Sequence, residues 1–210
     1  MLKNRIQLKF TSRKILNEMT TQFHYMHRPI HARSSPFGYL VKFDDKLFIN
    51  NEPYGFIIFA SIHFVKQKGL FGYDGLPTKW QVLSLARLWL NDSLPRNTAS
   101  IVISKCLKPH GHENISRVGY DWLKVHPPRF LNEPYHIRLI ISYADNTHGH
   151  NGAVYRAANF QQNGKTLSKL RHRNTRGSGL DNHVLTQYIY KLSEPNISIN
   201  DIQSQMNLIL

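Results

Sequence analysis

The sequence predicts an α/β fold with a mixed sheet. Two observations carry this. Early apolar residues fall into short alternating or continuous runs separated by turn residues, as antiparallel strands do. Later runs alternate with helix-like segments in the order strand, helix, strand, helix, strand. The chain of 210 residues is long enough for one domain with a proper core. Hydrophobic residues at 41% and aromatics at 11% exclude a disordered chain.

Each element has its own justification. Ile6-Gln7-Leu8-Lys9-Phe10 alternates like a strand. Thr11 or Ser12 is placed to cap a helix through Ile15, Leu16 and Met19, ending near Phe23. Tyr39 to Phe43, the turn Asp44-Asp45, and Leu47 to Ile49 read as a hairpin. Tyr54 to Phe64 is rich in Ile and Phe and reads as a central strand. Trp80 to Leu90 is another, with Val82, Leu83, Leu85 and Leu88. Ser100 to Leu107 reads as a helix, and His136 to Tyr143 as a buried strand. Gly152 to Asn159 is helical, and Thr166 to Leu170 forms a last strand. Val184 to Leu192 and Ile199 to Leu210 are expected to be helical and peripheral. Residues 1–170 then form the domain body, and residues 171–210 a basic helical extension of it.

Composition narrows the function. A single cysteine, Cys106, excludes a disulfide framework and a cysteine-built zinc site. Cys106 itself reads as core. No run of about 18 apolar residues occurs, so no membrane span or membrane partner is expected. The opening Met1-Leu2-Lys3-Asn4-Arg5 lacks the apolar stretch of a secretory signal, and a cytoplasmic location is expected. The formal net charge of +14 favours a polyanion such as nucleic acid. From Asn146 to Leu180 no acidic residue occurs, while Arg156, Lys165, Lys169, Arg171, Arg173 and Arg176 do. Arg156, Lys169, Arg171, Arg173 and Arg176 are the expected phosphate-tracking residues.

Three places can carry chemistry. At Pro95-Arg96-Asn97-Thr98-Ala99-Ser100 a strand gives way to a helix start, whose free N–H groups suit phosphate oxygens. Arg96 would add a bidentate donor. The alternative is an ordinary helix capped by Thr98. At Ser142-Tyr143-Ala144-Asp145 a strand delivers polar residues to its C-terminal end, and a glycine-rich turn leads to Tyr155. A carboxylate, a phenol and nearby imidazoles bind metals or move protons. Asp145 reads equally as a turn former and Tyr155 as a packed core phenol. Third, Phe23-His24-Tyr25-Met26-His27-Arg28-Pro29-Ile30-His31 gathers three imidazoles and a phenol, either as a reactive cluster or as a solvated loop.

Taken together, these residues resemble known families. Leu85 to Ser104 followed by the strand at Leu139 resembles the acyl-CoA core of GNAT acyltransferases, although Arg96-Asn97-Thr98-Ala99-Ser100 lacks both glycines of that family's pyrophosphate loop. Ser142-Tyr143-Ala144-Asp145, Gly149-His150-x-Gly152 and Tyr155-x-Ala157-x-Asn159-Phe160 resemble the Mom DNA-modification proteins of bacteriophages. Leu85-Ala86-Arg87-Leu88, Asn97-Thr98-Ala99-Ser100 and His24-Tyr25-x-His27 are similar to the same family. The resemblance implies a GNAT-like α/β fold, with a mixed, mostly antiparallel sheet flanked by helices, and an enzyme converting adenine in duplex DNA to a carbamoylmethylated form at the exocyclic amine, an anti-restriction activity. It implies Asp145, Tyr155, Ser100, Arg87 and Tyr25 as catalytic candidates. Arg96, Asn97, Thr98, Ala99 and Ser100 become the acyl-CoA loop, with acetyl-CoA as the representative cofactor. It also implies Fe(II), for which His24, His27, Asp145 and Tyr155 are the candidate ligands. The competing expectation is a GNAT-type N-acyltransferase acting on a small amine or a protein. Monomer and homodimer both remain open.

Overall fold

A computed structural model describes residues 1–30, 35–62, 81–109, 115–126, 137–170 and 181–192. In chain order the elements are α1 (Leu2–Arg5), β1 (Ile6–Thr11), α2 (Arg13–Phe23), β2 (Phe37–Phe43), β3 (Phe48–Ile49), β4 (Glu52–Pro53), β5 (Gly55–Ser61), β6 (Val82–Leu90), α3 (Thr98–Leu107), α4 (Arg117–Val125), β7 (Leu139–Asp145), α5 (Ala153–Ala157), β8 (Gln161–Leu170) and β9 (Asp181–Lys191). A single 3-10 turn, Asn146–His148, follows β7.

Seven strands form one sheet in the order β1-β2-β5-β6-β7-β9-β8. Every neighbouring pair is antiparallel except β6 and β7, which are parallel. Side chains alternate across this sheet, so it has two apolar faces. On one face Ile57, Phe59, Leu83 and Ile140 pack with Val102, Ile103 and Cys106 of α3 and Trp122 of α4. On the other Leu40, Phe56 and Ile58 pack with Leu16, Met19 and Phe23 of α2. Burying such a side chain stabilises by about 1.5–3 kcal/mol, which is what fixes the helices to their faces.

Local chemistry sets the element ends. Ser12 caps α2, its Oγ accepting from the Ile15 amide at 3.5 Å. Two polar groups bridge the core: the Tyr39 hydroxyl donates to Asp121 at 2.7 Å, and Arg117 Nη2 donates to the Leu8 carbonyl at 2.9 Å. These bonds tie β1 and β2 to α4 across a long stretch of chain.

The structure corrects several expectations. Val184 to Leu192 is not a peripheral helix: Val184 to Lys191 lies within β9, between β7 and β8, with Tyr188 and Ile189 buried. The sheet therefore runs past residue 170 to Lys191. Leu47 to Ile49 does not pair with β2. Instead β3 pairs with β4, and β2 is sandwiched between β1 and β5. The last expected strand starts earlier, at Gln161, and α4 is an element the sequence reading did not include. Ile199 to Leu210 lies outside the described residues.

Gly38 shows how closely β2 and β5 approach. A Cβ there would sit 2.1 Å from the Ile57 carbonyl oxygen, a backbone atom that cannot swing away. Gly38→Ala is expected to cost about 1–3 kcal/mol in urea unfolding, the usual range for overpacking. Unchanged stability would contradict this strand approach.

Candidate active site

Parallel pairing between β6 and β7 covers only Val82 to Ser84 against Leu139 to Ile141. Both strands continue, β6 to Leu90 and β7 to Asp145, each held by its other neighbour. They part, and a pocket of about 600 Å³ opens between them. At the parting point the Ser142 hydroxyl donates to the Leu85 carbonyl at 3.2 Å, satisfying a backbone acceptor that has lost its sheet partner.

A β-bulge in β6 decides which residue enters the pocket. Phe59 faces Leu85 but Ile58 faces Arg87, leaving Ala86 as the extra residue. Before the bulge Leu83 and Leu85 point to the α3 face; after it Leu88 and Leu90 do. Arg87 is thereby turned to the α2 face instead of into the α3 core. One guanidinium nitrogen, Nη1, donates to the Ala86 carbonyl at 2.6 Å. Nε is buried with no hydrogen-bond partner. Burial lowers the Arg87 pKa, and the Tyr25 phenol opposes that.

The C-terminal end of α2 supplies the wall opposite. His24 is 5% exposed and lines the pocket. Its Nδ1 accepts from the Met26 amide at 3.2 Å, which assigns the neutral ring's proton to Nε2. Burial pulls its pKa down to about 4, with Arg87, His150 and His27 adding to the effect. Tyr25 stands at the mouth, 47% exposed. Its ring lies 4.4 Å from that of His24, 5.2 Å from His148 and 5.5 Å from His150. Burial and the charge of Asp145 raise its phenol pKa.

The end of β7 and the loop after it close the site. Asp145 is 7% exposed; Oδ1 accepts from the Thr147 amide at 3.0 Å and Oδ2 lies 2.9 Å from His148 Nδ1. It caps the 3-10 turn and lines the pocket, so it is both turn former and pocket carboxylate. Tyr155 reaches the pocket from α5, and burial raises its phenol pKa against a Ser142 hydrogen bond. Gly152 adopts φ +71°, and a Cβ there would fall 2.1 Å from the Tyr188 hydroxyl. Arg156 Nη1 donates to the Asn151 carbonyl at 2.7 Å and the Tyr188 hydroxyl at 3.1 Å, pinning this loop to β9.

Five expected site residues, His24, Tyr25, Arg87, Asp145 and Tyr155, therefore line one pocket. Others do not. His27 is exposed, with Nδ1 3.0 Å from the Thr21 carbonyl. Ser100 Oγ donates to the Asn97 carbonyl at 3.0 Å, and neither it nor Arg96, Asn97, Thr98 or Ala99 lines this pocket. Thr98 does not cap α3. Asn97 is the N-cap, in the left-handed region at φ 69°, and no side chain caps that turn. Arg156, expected on phosphates, spends Nη1 inside the protein. Lys169 belongs to β8, while Arg171, Arg173 and Arg176 lie outside the described residues. The sequence reading did not single out His148 among the imidazoles near Asp145, and it assigned no role to Tyr188. The signal for His148 was its spacing of three from Asp145 across a tight turn.

The expected iron set, Asp145 and Tyr155 with one of His24 or His27, does not find a free imidazole nitrogen of those two in the pocket. His27 does not line the pocket, and His24 Nδ1 is occupied by an amide N–H, which keeps the proton on Nε2. Among the described residues no group of three or more His, Cys, Asp or Glu is placed to hold a metal ion.

The sequence model of the Mom protein family matches residues 5–117 and 127–200. No curated protein sequence matches the chain. Solved structures with a similar fold include RimL, a ribosomal L7/L12 alpha-N-protein acetyltransferase, at 13% identity and TM-score 0.48, covering 92% of this chain and 98% of that one. The spermidine/spermine N-acetyltransferase SpeG from Vibrio cholerae, in complex with manganese ions, aligns at 8% identity and TM-score 0.48, covering 91% and 95%. The aminoglycoside acetyltransferase AAC(6')-Ib with coenzyme A aligns at 13% identity and TM-score 0.47, covering 89% and 94%.

His24 gives a pH test. Its folded pKa of about 4 lies below the unfolded value of about 6.5. Between those values the unfolded chain binds the extra proton, so stability falls as pH drops through this window, by up to about 1.4 kcal/mol per pH unit. His24→Asn is expected to flatten that slope in denaturant unfolding at about pH 4–7. An identical slope in the variant would show that His24 is not held neutral by the fold.

Proposed function

Since the chain belongs to the Mom protein family, we propose that it transfers a carbamoylmethyl group to the exocyclic amine of adenine in duplex DNA. The observation that carries this reading is the meeting of His24, Tyr25, Arg87, Asp145 and Tyr155 on one slot through the sheet. The α2 side contributes His24 and Tyr25, and α5 contributes Tyr155.

The chemistry follows from the groups present. An adenine amine is a weak nucleophile and sheds a proton as the new C–N bond forms. Asp145, paired with His148, is the acceptor for it. Tyr155, whose phenol burial holds protonated, supplies a hydrogen bond to charge developing on the donor. A base inside a duplex must be extruded to reach such a slot, and the Tyr25 ring with its imidazole neighbours offers a stacking surface at the mouth. Carbamoylmethyl transfer breaks a bond between the donor's methylene carbon and its leaving group as the N–C bond forms. An acyl-CoA, whose thioester would give an amide and free thiol, fits the N-acyltransferase alternative instead. On that alternative the first turn of α3, which no side chain caps, would receive the CoA phosphates, although it lies outside the pocket lining and lacks the family loop's glycines. The net charge of +14 supports a polyanionic partner and disfavours a cationic small amine.

DNA from cells expressing the protein should yield, on hydrolysis and mass spectrometry, an adenine nucleoside carrying a methylene-linked carbamoylmethyl group. Asp145→Asn and Tyr155→Phe are each expected to lower its yield about a hundredfold. Unmodified adenine from cells holding folded protein would overturn the reading, and a carbonyl-linked adduct would instead make it an ordinary N-acyltransferase.

The phosphate-tracking expectation is tested by charge reversal. Arg171→Glu with Arg173→Glu should weaken duplex binding and reduce the log–log salt slope by about 0.9 for each phosphate the variant no longer neutralises. Unchanged affinity and slope would remove this run from the DNA surface.

A further inference from the structure

The α2 side of the slot holds a guanidinium N–H with nothing to receive it. Arg87 Nε is buried and unpartnered, and Nη1 of that guanidinium is spent on the Ala86 carbonyl. Among the described residues no acidic side chain pairs with Arg87. His24 faces the same pocket with its acceptor nitrogen filled by the Met26 amide, so Nε2 can only donate. A buried guanidinium N–H without an acceptor is costly, and such a cost persists in a fold when a ligand relieves it.

We infer that Arg87 and His24 form a receptor for a carboxylate-type oxyanion on the donor molecule. One cation beside one neutral donor matches a single negative charge spread over two oxygens. A planar fork suits a carboxylate, and Arg is the residue whose geometry provides it. Asp145 lines the same pocket and disfavours a second negative charge, which sets a carboxylate above a phosphate dianion. The ligand reaches this corner while Tyr25 at the mouth remains available to the base. Naming the ligand as the donor rests on the transferase reading; the binding itself does not.

The experiment reads the Arg87 Nε–H and His24 ring resonances by nitrogen-detected NMR on the intact protein, without DNA. Sodium acetate, glycine, sodium phosphate and sodium chloride are titrated separately at matched ionic strength. Acetate and glycine are expected to shift the Arg87 Nε–H saturably, with phosphate weaker and chloride without effect. Arg87→Lys, checked for an unchanged amide spectrum, should weaken acetate binding roughly tenfold. A saturable shift in a protein that leaves DNA unmodified would support the receptor while the transferase reading fails. No saturable shift with acetate or glycine, equal shifts with chloride, or tighter binding of phosphate would each overturn the inference.

Discussion

Strands β6 and β7 hold each other through only three residue pairs, and the rest of the site depends on where that parallel pairing ends. Past Ser84 each strand keeps one antiparallel partner and loses the other, so the sheet divides into β1-β2-β5-β6 and β7-β9-β8. Backbone groups along the parting edges lack sheet partners, which is expensive unless something else meets them. Ser142 meets one of them at Leu85. The bulge at Ala86 sits at the same place and turns Arg87 out of the α3 core. A slot, a cation and a change of sheet face thus come from one interruption in pairing.

The site's electrostatics follow from burial. His24 loses its charge and becomes a fixed donor; Tyr25 and Tyr155 keep their phenol protons. Asp145 stays tied to the turn it caps, so its position is set by the same hydrogen bonds that orient His148. The α5 loop is held against β9 through Arg156, Tyr188 and Asn151, with Gly152 where no side chain fits. Those hydrogen bonds hold the loop whose exposed residues Gly149, His150 and Asn151 line one side of the site.

Strands β1, β2, β5, β6 and β7 and helices α2 and α3 were legible because their apolar spacing or caps are strong local signals. Strand β9 was not. Val184, Leu185, Tyr188, Ile189 and Leu192 repeat with a spacing that fits a helix face, while the β-branched and aromatic residues fit a strand. Pairing with β7 and β8 decides it, and that is tertiary information. The gathering of Asp145, Tyr155, His24 and Tyr25 was legible as element ends beside apolar strands. The turning of Arg87 was not, since a one-residue bulge reverses the face without altering the pattern. Ser100 and His27 share motifs with pocket residues, yet helix-start and turn geometry direct them elsewhere.

Photocrosslinking tests most directly whether an adenine base enters the slot. A duplex carrying a photoreactive adenine is irradiated with the protein, and the adduct is mapped by mass spectrometry. The expected adducts fall on His24 to Met26 or on Gly149 to Tyr155, the residues flanking the slot. Adducts confined to α4 or to the β3–β4 hairpin, with none beside the slot, would contradict the account.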